Sequence, residues 1–197
     1  MKTKKIILLA FVAVSVFLSC KKESGRCEFP KGLIPYELGQ IINFIDSEGE
    51  SIDLIITENN TEWIRDSDSG GMIDYYYTSA EMKSIILKSE ANNLKIALRN
   101  IYSNYCCVSC EGYKNYTLYI SVRINDSWGF TLTSDREGNF LNSVDPTSFY
   151  SSLEINGKVY HDVVEQKNDN DGVLYYNKTY GILQINRYGE NFLTLNH

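Results

Sequence analysis

The chain has 197 residues and a formal net charge of −6, with 25 acidic against 19 basic side chains. That balance disfavours nucleic acid and anionic lipid headgroups as partners, since the phosphate attraction that dominates such binding meets the wrong sign of charge. With two histidines in all, metal chemistry built on several imidazoles is excluded by count.

Met1-Lys2-Thr3-Lys4-Lys5 is basic, Ile6 to Leu18 is an apolar run of 13 residues, and Ser19-Cys20 follows. A basic start, a short apolar stretch and a small residue before the cut are the parts of a secretory signal. The run is shorter than the roughly 20 residues a membrane-crossing helix needs. Phe17-Leu18-Ser19-Cys20 resembles the bacterial lipobox, with Phe17 where Leu is usual. That resemblance implies cleavage before Cys20 and acylation of its thiol, so that the protein is anchored to the membrane rather than spanning it. The expected organisation is a signal peptide over 1–19, a lipidated N-terminus and polar tether over 20–30, and one domain over 31–197. The expected address is the cell envelope, on the periplasmic or surface face of the outer membrane. Without residues 1–19 the chain keeps 178 residues and loses three lysines, leaving 16 basic against 25 acidic, formally −9. That is enough chain for one sizeable core.

With Cys20 carrying lipid, Cys27, Cys106, Cys107 and Cys110 remain. An even number of cysteines in an oxidising compartment suggests two disulfides. A bridge between the adjacent Cys106 and Cys107 is geometrically awkward, because disulfides want Cα atoms about 5.5 Å apart. The preferred pairing joins Cys27 to one member of the cluster and the other two to each other. Free thiols are one alternative, and a metal or redox site on Cys107-Val108-Ser109-Cys110, closed by Cys27, is another.

The remainder alternates like a β-protein and is rich in tyrosine, with 15 Tyr against three Pro. Ile41 to Ile45 and Ser51 to Ile56 read as strands around the turn Asp46-Ser47-Glu48-Gly49. Asp66 to Gly71 reads as a loop before an aromatic run from Ile73 to Thr78. Over 79–102 a hairpin turning at Ala91-Asn92-Asn93 competes with one helix, and the paired Asn favour the hairpin. Tyr116 to Ile124 and Trp128 to Thr133 flank Asn125-Asp126-Ser127. Leu153-Glu154-Ile155 and Lys158-Val159-Tyr160 flank Asn156-Gly157, a type I′ hairpin signal. Gly172 to Tyr176, Gly181 to Asn186 and Asn191 to Leu195 complete the series. Short strands with frequent polar turns predict an all-β, mainly antiparallel single domain, either a sandwich or a strongly curved open barrel.

Catalytic signatures are missing. His161 has no G-x-S-x-G elbow to serve and reads as an ordinary sheet histidine. Asn168-Asp169-Asn170-Asp171-Gly172 begins like a calcium loop, but aligning Gly172 to the obligatory glycine puts Lys167 and Lys178 where carboxylates belong. Asp66 and Asp68 fit the first positions of a second such loop, which then has Tyr77 at its last. Tyr75-Tyr76-Tyr77, Tyr102/Tyr105 and Tyr175-Tyr176 could line a groove, though packing is the commoner use of aromatics in a half-buried sheet. No catalytic residue, metal or cofactor is nominated.

Glu154-Ile155-Asn156-Gly157-Lys158-Val159-Tyr160, then Tyr175-Tyr176-Asn177-Lys178-Thr179-Tyr180-Gly181-Ile182-Leu183, then Gly189-Glu190-Asn191-Phe192-Leu193-Thr194-Leu195 form a graded ending. It resembles that of a large group of bacterial envelope lipoproteins of uncharacterised activity, with Phe192 in place of their usual Trp. Ile34-Pro35-Tyr36-Glu37-Leu38-Gly39-Gln40 is similar to the group's opening segment. The group carries no activity to transfer. The Tyr-Tyr strand pair also resembles half-barrel lipoprotein carriers at the level of fold alone. The expectation is therefore a membrane-anchored, non-enzymatic binding or structural module with an envelope protein or apolar ligand as partner. The alternatives are a carrier of lipid in a curved sheet, and a hydrolase with an unrecognised carboxylate pair.

Overall fold

A computed structural model describes residues 25–27, 30–70, 74–103, 117–135, 137–142 and 147–196. Thirteen strands run through them in the order β1 (Gly25–Cys27), β2 (Ile41–Asp46), β3 (Ser51–Gly70), β4 (Asp74–Ser89), β5 (Leu94–Ser103), β6 (Thr117–Ile124) and β7 (Trp128–Ser134), followed by β8 (Phe140–Leu141), β9 (Thr147–Ile155), β10 (Lys158–Lys167), β11 (Val173–Asn177), β12 (Gly181–Arg187) and β13 (Glu190–Leu195). The protein is all-β, with no helix among the described residues. Segment 79–102 is the hairpin β4–β5, turning through Asn93 at φ 49°, a left-handed conformation that asparagine tolerates better than most residues.

Strands β2 to β8 each pair antiparallel with their chain neighbour, and so do β9 to β13. The last strand then pairs antiparallel with β2, Leu195 opposite Phe44, which joins the two meanders into one twelve-stranded sheet edged by β8 and β9. Only residues 142–146 separate Leu141 from Thr147, a reach of about 20 Å. A flat sheet of that width, at about 4.8 Å per strand, would hold its two edges roughly 50 Å apart. The connection therefore demands curvature, and the sheet is a strongly curled half-barrel. Contacts across the curl include Trp128 on β7 against Phe192 on β13 (5.8 Å between ring centroids) and Phe140 on β8 against Tyr176 on β11 (5.7 Å).

Period-two alternation builds the core. Ile42, Phe44, Leu54, Ile85, Leu87, Ile96, Leu98, Ile120 and Val122 point inward and are buried. The interior is closed by the segment before β2, where Leu33, Ile34 and Tyr36 are each at most 3% exposed. The Tyr176 hydroxyl donates to Leu33 O at 2.7 Å, and the Ile182 N–H donates to the Tyr36 hydroxyl at 2.7 Å. Burying the two phenols is tolerable because each hydroxyl finds a partner.

Two expectations need correcting. The stretch Asp66 to Gly70 is not a loop but the far arm of β3, its backbone paired register for register with Thr78 to Asp74. Polar side chains mask a strand from sequence when its stability comes from cross-strand pairing rather than burial. Similarly, β4 runs unbroken through residue 79 up to Ser89. Where β5 parts from β4 beyond Arg99, the backbone of β1 takes over part of that edge, in parallel, Cys27 opposite Ala80.

Candidate functional site

The outer face of β5, β6 and β7 is built by the same alternation that fills the core. Leu94, Ile96 and Leu98 go inward, placing Lys95, Arg99 and the buried Ala97 on the opposite face; Ile120, Val122 and Ile124 go inward, leaving Ser121 and Arg123 on that same face. On β7, Phe130 and Leu132 are buried, while Gly129 and Thr131 share the outer face. The register sets Arg99 opposite Ser121 and Ser121 opposite Thr131; Arg123 lies between Ala97 and Gly129. Arg99 and Arg123 are thus diagonal neighbours, with backbones about 7–8 Å apart.

Two adjoining shallow hollows lie over these residues. One, of about 320 Å³, is lined by Ser121, Arg123, Ser127, Thr131 and Asn170 together with Trp128, Gly129 and Phe130. The other, of about 270 Å³, is lined by Ala97, Arg99, Ser121, Arg123 and Asp126. Gly129 lets β7 lie close against β6 at the first: a Cβ there would stand 2.0 Å from the Val122 carbonyl oxygen, so any side chain would push the two strands apart.

The β6–β7 turn fixes one wall. Asn125 and Asp126 take φ of 46° and 56°, and Asn125 is bound to Lys95 twice: its N–H donates to Lys95 O (2.8 Å) and its Oδ1 accepts from Lys95 N (2.7 Å). The neighbouring Asp126 carboxylate then accepts from Lys95 Nζ at 2.8 Å. This bond lowers the Asp126 carboxyl below the usual range, helped by the charges of Lys95, Arg99 and Arg123 and opposed by partial desolvation. Neither Arg99 nor Arg123 has an ion-pair partner within 4 Å among the described residues. Lys88 stands opposite Lys95, so Lys88, Lys95, Arg99 and Arg123 lie close together on this face, beside an Asp126 carboxylate that Lys95 holds. Further along the row, Glu58 lies opposite Ile86, separated from Arg123 by the Ile86 and Ala97 positions.

No protein-family model, curated protein or solved structure matches the chain.

Cys20, Cys106, Cys107 and Cys110 lie outside the described residues, as does the side chain of Cys27. Tyr75 to Tyr77 and Tyr102 are placed by backbone alone, and Tyr105 falls outside. Tyr176 is a core residue, whereas Tyr175 is partly buried on the outer face, bonded to Glu165. Glu165 is itself buried; it accepts from the Tyr150 hydroxyl at 2.9 Å and meets Lys167 Nζ at 3.4 Å. His161 is exposed on β10, its Nδ1 3.3 Å from Ser151 O. In the segment that begins like a calcium loop, the Asn168 amide organises the turn: Oδ1 accepts from Asn170 N (3.1 Å) and Gly172 N (2.8 Å), and Nδ2 donates to Gly129 O (2.9 Å) across the curl. No group of three metal-ligating side chains occurs among the described residues. Arg99 and Arg123 carry no local sequence signal; strand register alone makes them neighbours.

Proposed function

We propose that the protein is a lipid-anchored envelope lipoprotein, held at Cys20, whose β-body is a non-enzymatic binding or structural module. The observation carrying the binding reading is the pair of guanidinium groups, Arg99 and Arg123, which have no ion-pair partner among the described residues and lie in an outward groove of a chain that is acidic overall. The interior is filled by Leu33, Ile34 and Tyr36, which favours a partner held outside the sheet over an acyl chain carried inside. The address rests on the basic start, the short apolar run and Ser19-Cys20. In an oxidising compartment Cys27, Cys106, Cys107 and Cys110 make two disulfides; four free thiols on denatured, non-reduced protein would count against this.

Labelled palmitate supplied to cells expressing the chain should enter the wild type and not Cys20→Ala, with the variant moving to the soluble envelope fraction. Equal labelling of both would remove the anchor. Turnover of an ester, glycan or peptide panel by purified protein would overturn the non-enzymatic reading.

A further inference from the structure

We infer that the groove over β5–β7 is a binding site for an acidic sugar, a carboxylate or phosphate oxyanion carried on a polyhydroxylated ring. The inference rests on the reading of the body as a binding module and names what it binds. Arg99 and Arg123 are diagonal neighbours on adjacent strands, without ion-pair partners among the described residues, so both planar forks can close on one oxyanion. The Asp126 carboxylate, which lines the smaller hollow, is bonded to Lys95 Nζ at 2.8 Å; it feels the charge of both arginines but forms an ion pair with neither. Beside Arg123 the larger hollow is lined by Ser121, Ser127, Thr131 and Asn170, hydroxyl and amide groups that both donate and accept, and by Trp128 and Phe130, rings of the kind that sugar rings stack on.

That composition separates sugar acids from other anions. An inorganic oxyanion would use the arginines and leave the hydroxyl wall idle. An anionic lipid would want a broad apolar shelf beside the charges, whereas the groove offers only the half-buried Trp128 and the buried Phe130, and exposed large apolar side chains such as Trp63, Phe149 and Val159 lie on other strands. The larger hollow, near 320 Å³, stands at the lower end of small-ligand sites, which run from about 300 Å³ upward. Gly129 leaves the space beside Arg123, and the Asn168 bond to Gly129 O brings Asn170 to the rim.

The test is calorimetric titration of the full chain, purified in a neutral detergent, with a galacturonate oligomer, glucose 6-phosphate, glucose and inorganic phosphate. Both charged sugars should bind, more weakly as salt rises, and glucose should not. Arg99→Ala and Arg123→Ala should each weaken binding about tenfold or more, and the double variant should abolish it while unfolding at the wild-type denaturant midpoint. Ser121→Ala with Thr131→Val should weaken the sugars but leave inorganic phosphate unchanged. Binding that ignores the arginines, or no binding of either charged sugar, overturns the inference. So does inorganic phosphate binding as tightly as glucose 6-phosphate. Conversion of a sugar during the titration would count against the non-enzymatic reading, while the groove is still judged by its arginine dependence.

Discussion

The Tyr36 hydroxyl lies over Gly181 so closely that a Cβ at Gly181 would stand 2.2 Å from it and 2.4 Å from the ring carbon that bears it. Gly181 also has φ of 78°, the left-handed region, and its neighbour Ile182 donates its N–H to that hydroxyl. The segment that closes the interior and the start of β12 are therefore fitted to each other. Gly181→Ala should cost about 2–4 kcal/mol, combining backbone strain with displacement of the Tyr36 ring. Tyr36→Phe should cost less, about 1–3 kcal/mol, for the unpartnered Ile182 N–H alone. Urea denaturation gives both values, and the reverse ranking would sink this account.

Burial pushes the hydroxyls of Tyr36 and Tyr176 above the ordinary phenol value, the Ile182 N–H offsetting part of the shift at Tyr36. Tyr175 is pushed up to about 12, first by burial and then by the Glu165 carboxylate. A phenol whose folded pKa is raised contributes stability that is intact below its unfolded value, about 10. That contribution is lost as pH rises from there through the folded value. Denaturant midpoints should hold steady up to about pH 10 and then fall, each fully buried tyrosine adding about 1.4 kcal/mol per pH unit to the slope. Tyr176→Phe should be less stable at neutral pH, with Leu33 O left unpaired, yet decline less steeply in alkali. An identical slope in wild type and variant would refute the assignment.

Asn100 marks where β5 leaves β4. It is 1% exposed, its Oδ1 accepts from Lys83 N, and its Nδ2 donates to Glu81 O at 2.7 Å. The side-chain amide continues the ladder for β4 after the main-chain pairing ends at Arg99 opposite Ser84. Asn100→Leu should cost about 2 kcal/mol, since the partly buried Lys83 N–H and Glu81 carbonyl both lose their bond to the side-chain amide. Hydrogen exchange should quicken at the Lys83 amide before it quickens at Ile85 or Leu87. Uniform loss of protection along β4 would argue against a local role.

Hairpins with a local signal were legible in the residues. Asn156 and Gly157 take φ of 50° and 75°, the pair of positive values a type I′ turn requires, and Ile41–Ile45 with Ser51–Ile56 falls within a residue of β2 and the start of β3. An all-β antiparallel fold, sandwich or strongly curved open barrel, followed from many short alternating strands, and the curled sheet is the second of these. What lay beyond reach was long-range: Leu195 opposite Phe44 closes the sheet through partners with no mutual sequence mark. The two-residue β8 and the first half of β9, with exposed Phe149 and Ser151, show too little alternation to stand out. Arg99 and Arg123 were invisible as a pair for the same reason, because a one-step change of register would part them.

Asn168 offers a way to isolate the bond that ties the curl together. Its Oδ1 holds the β10–β11 turn through Asn170 N and Gly172 N, and its Nδ2 reaches Gly129 O on β7. Asn168→Asp preserves the acceptor and replaces the donor with a carboxylate oxygen facing a carbonyl. The turn should survive while the cross-sheet bond becomes a repulsion, at a cost of about 1–3 kcal/mol. Asn168→Ala removes both functions and should cost more at neutral pH. Because an unfavourably placed carboxylate is relieved on protonation, the Asp variant should recover stability on acidification relative to the Ala variant. Thermal unfolding of the two at neutral and mildly acidic pH separates them. If Asn168→Asp matched wild type at neutral pH, the Asn168–Gly129 bond would have no part in holding β7 to the opposite meander.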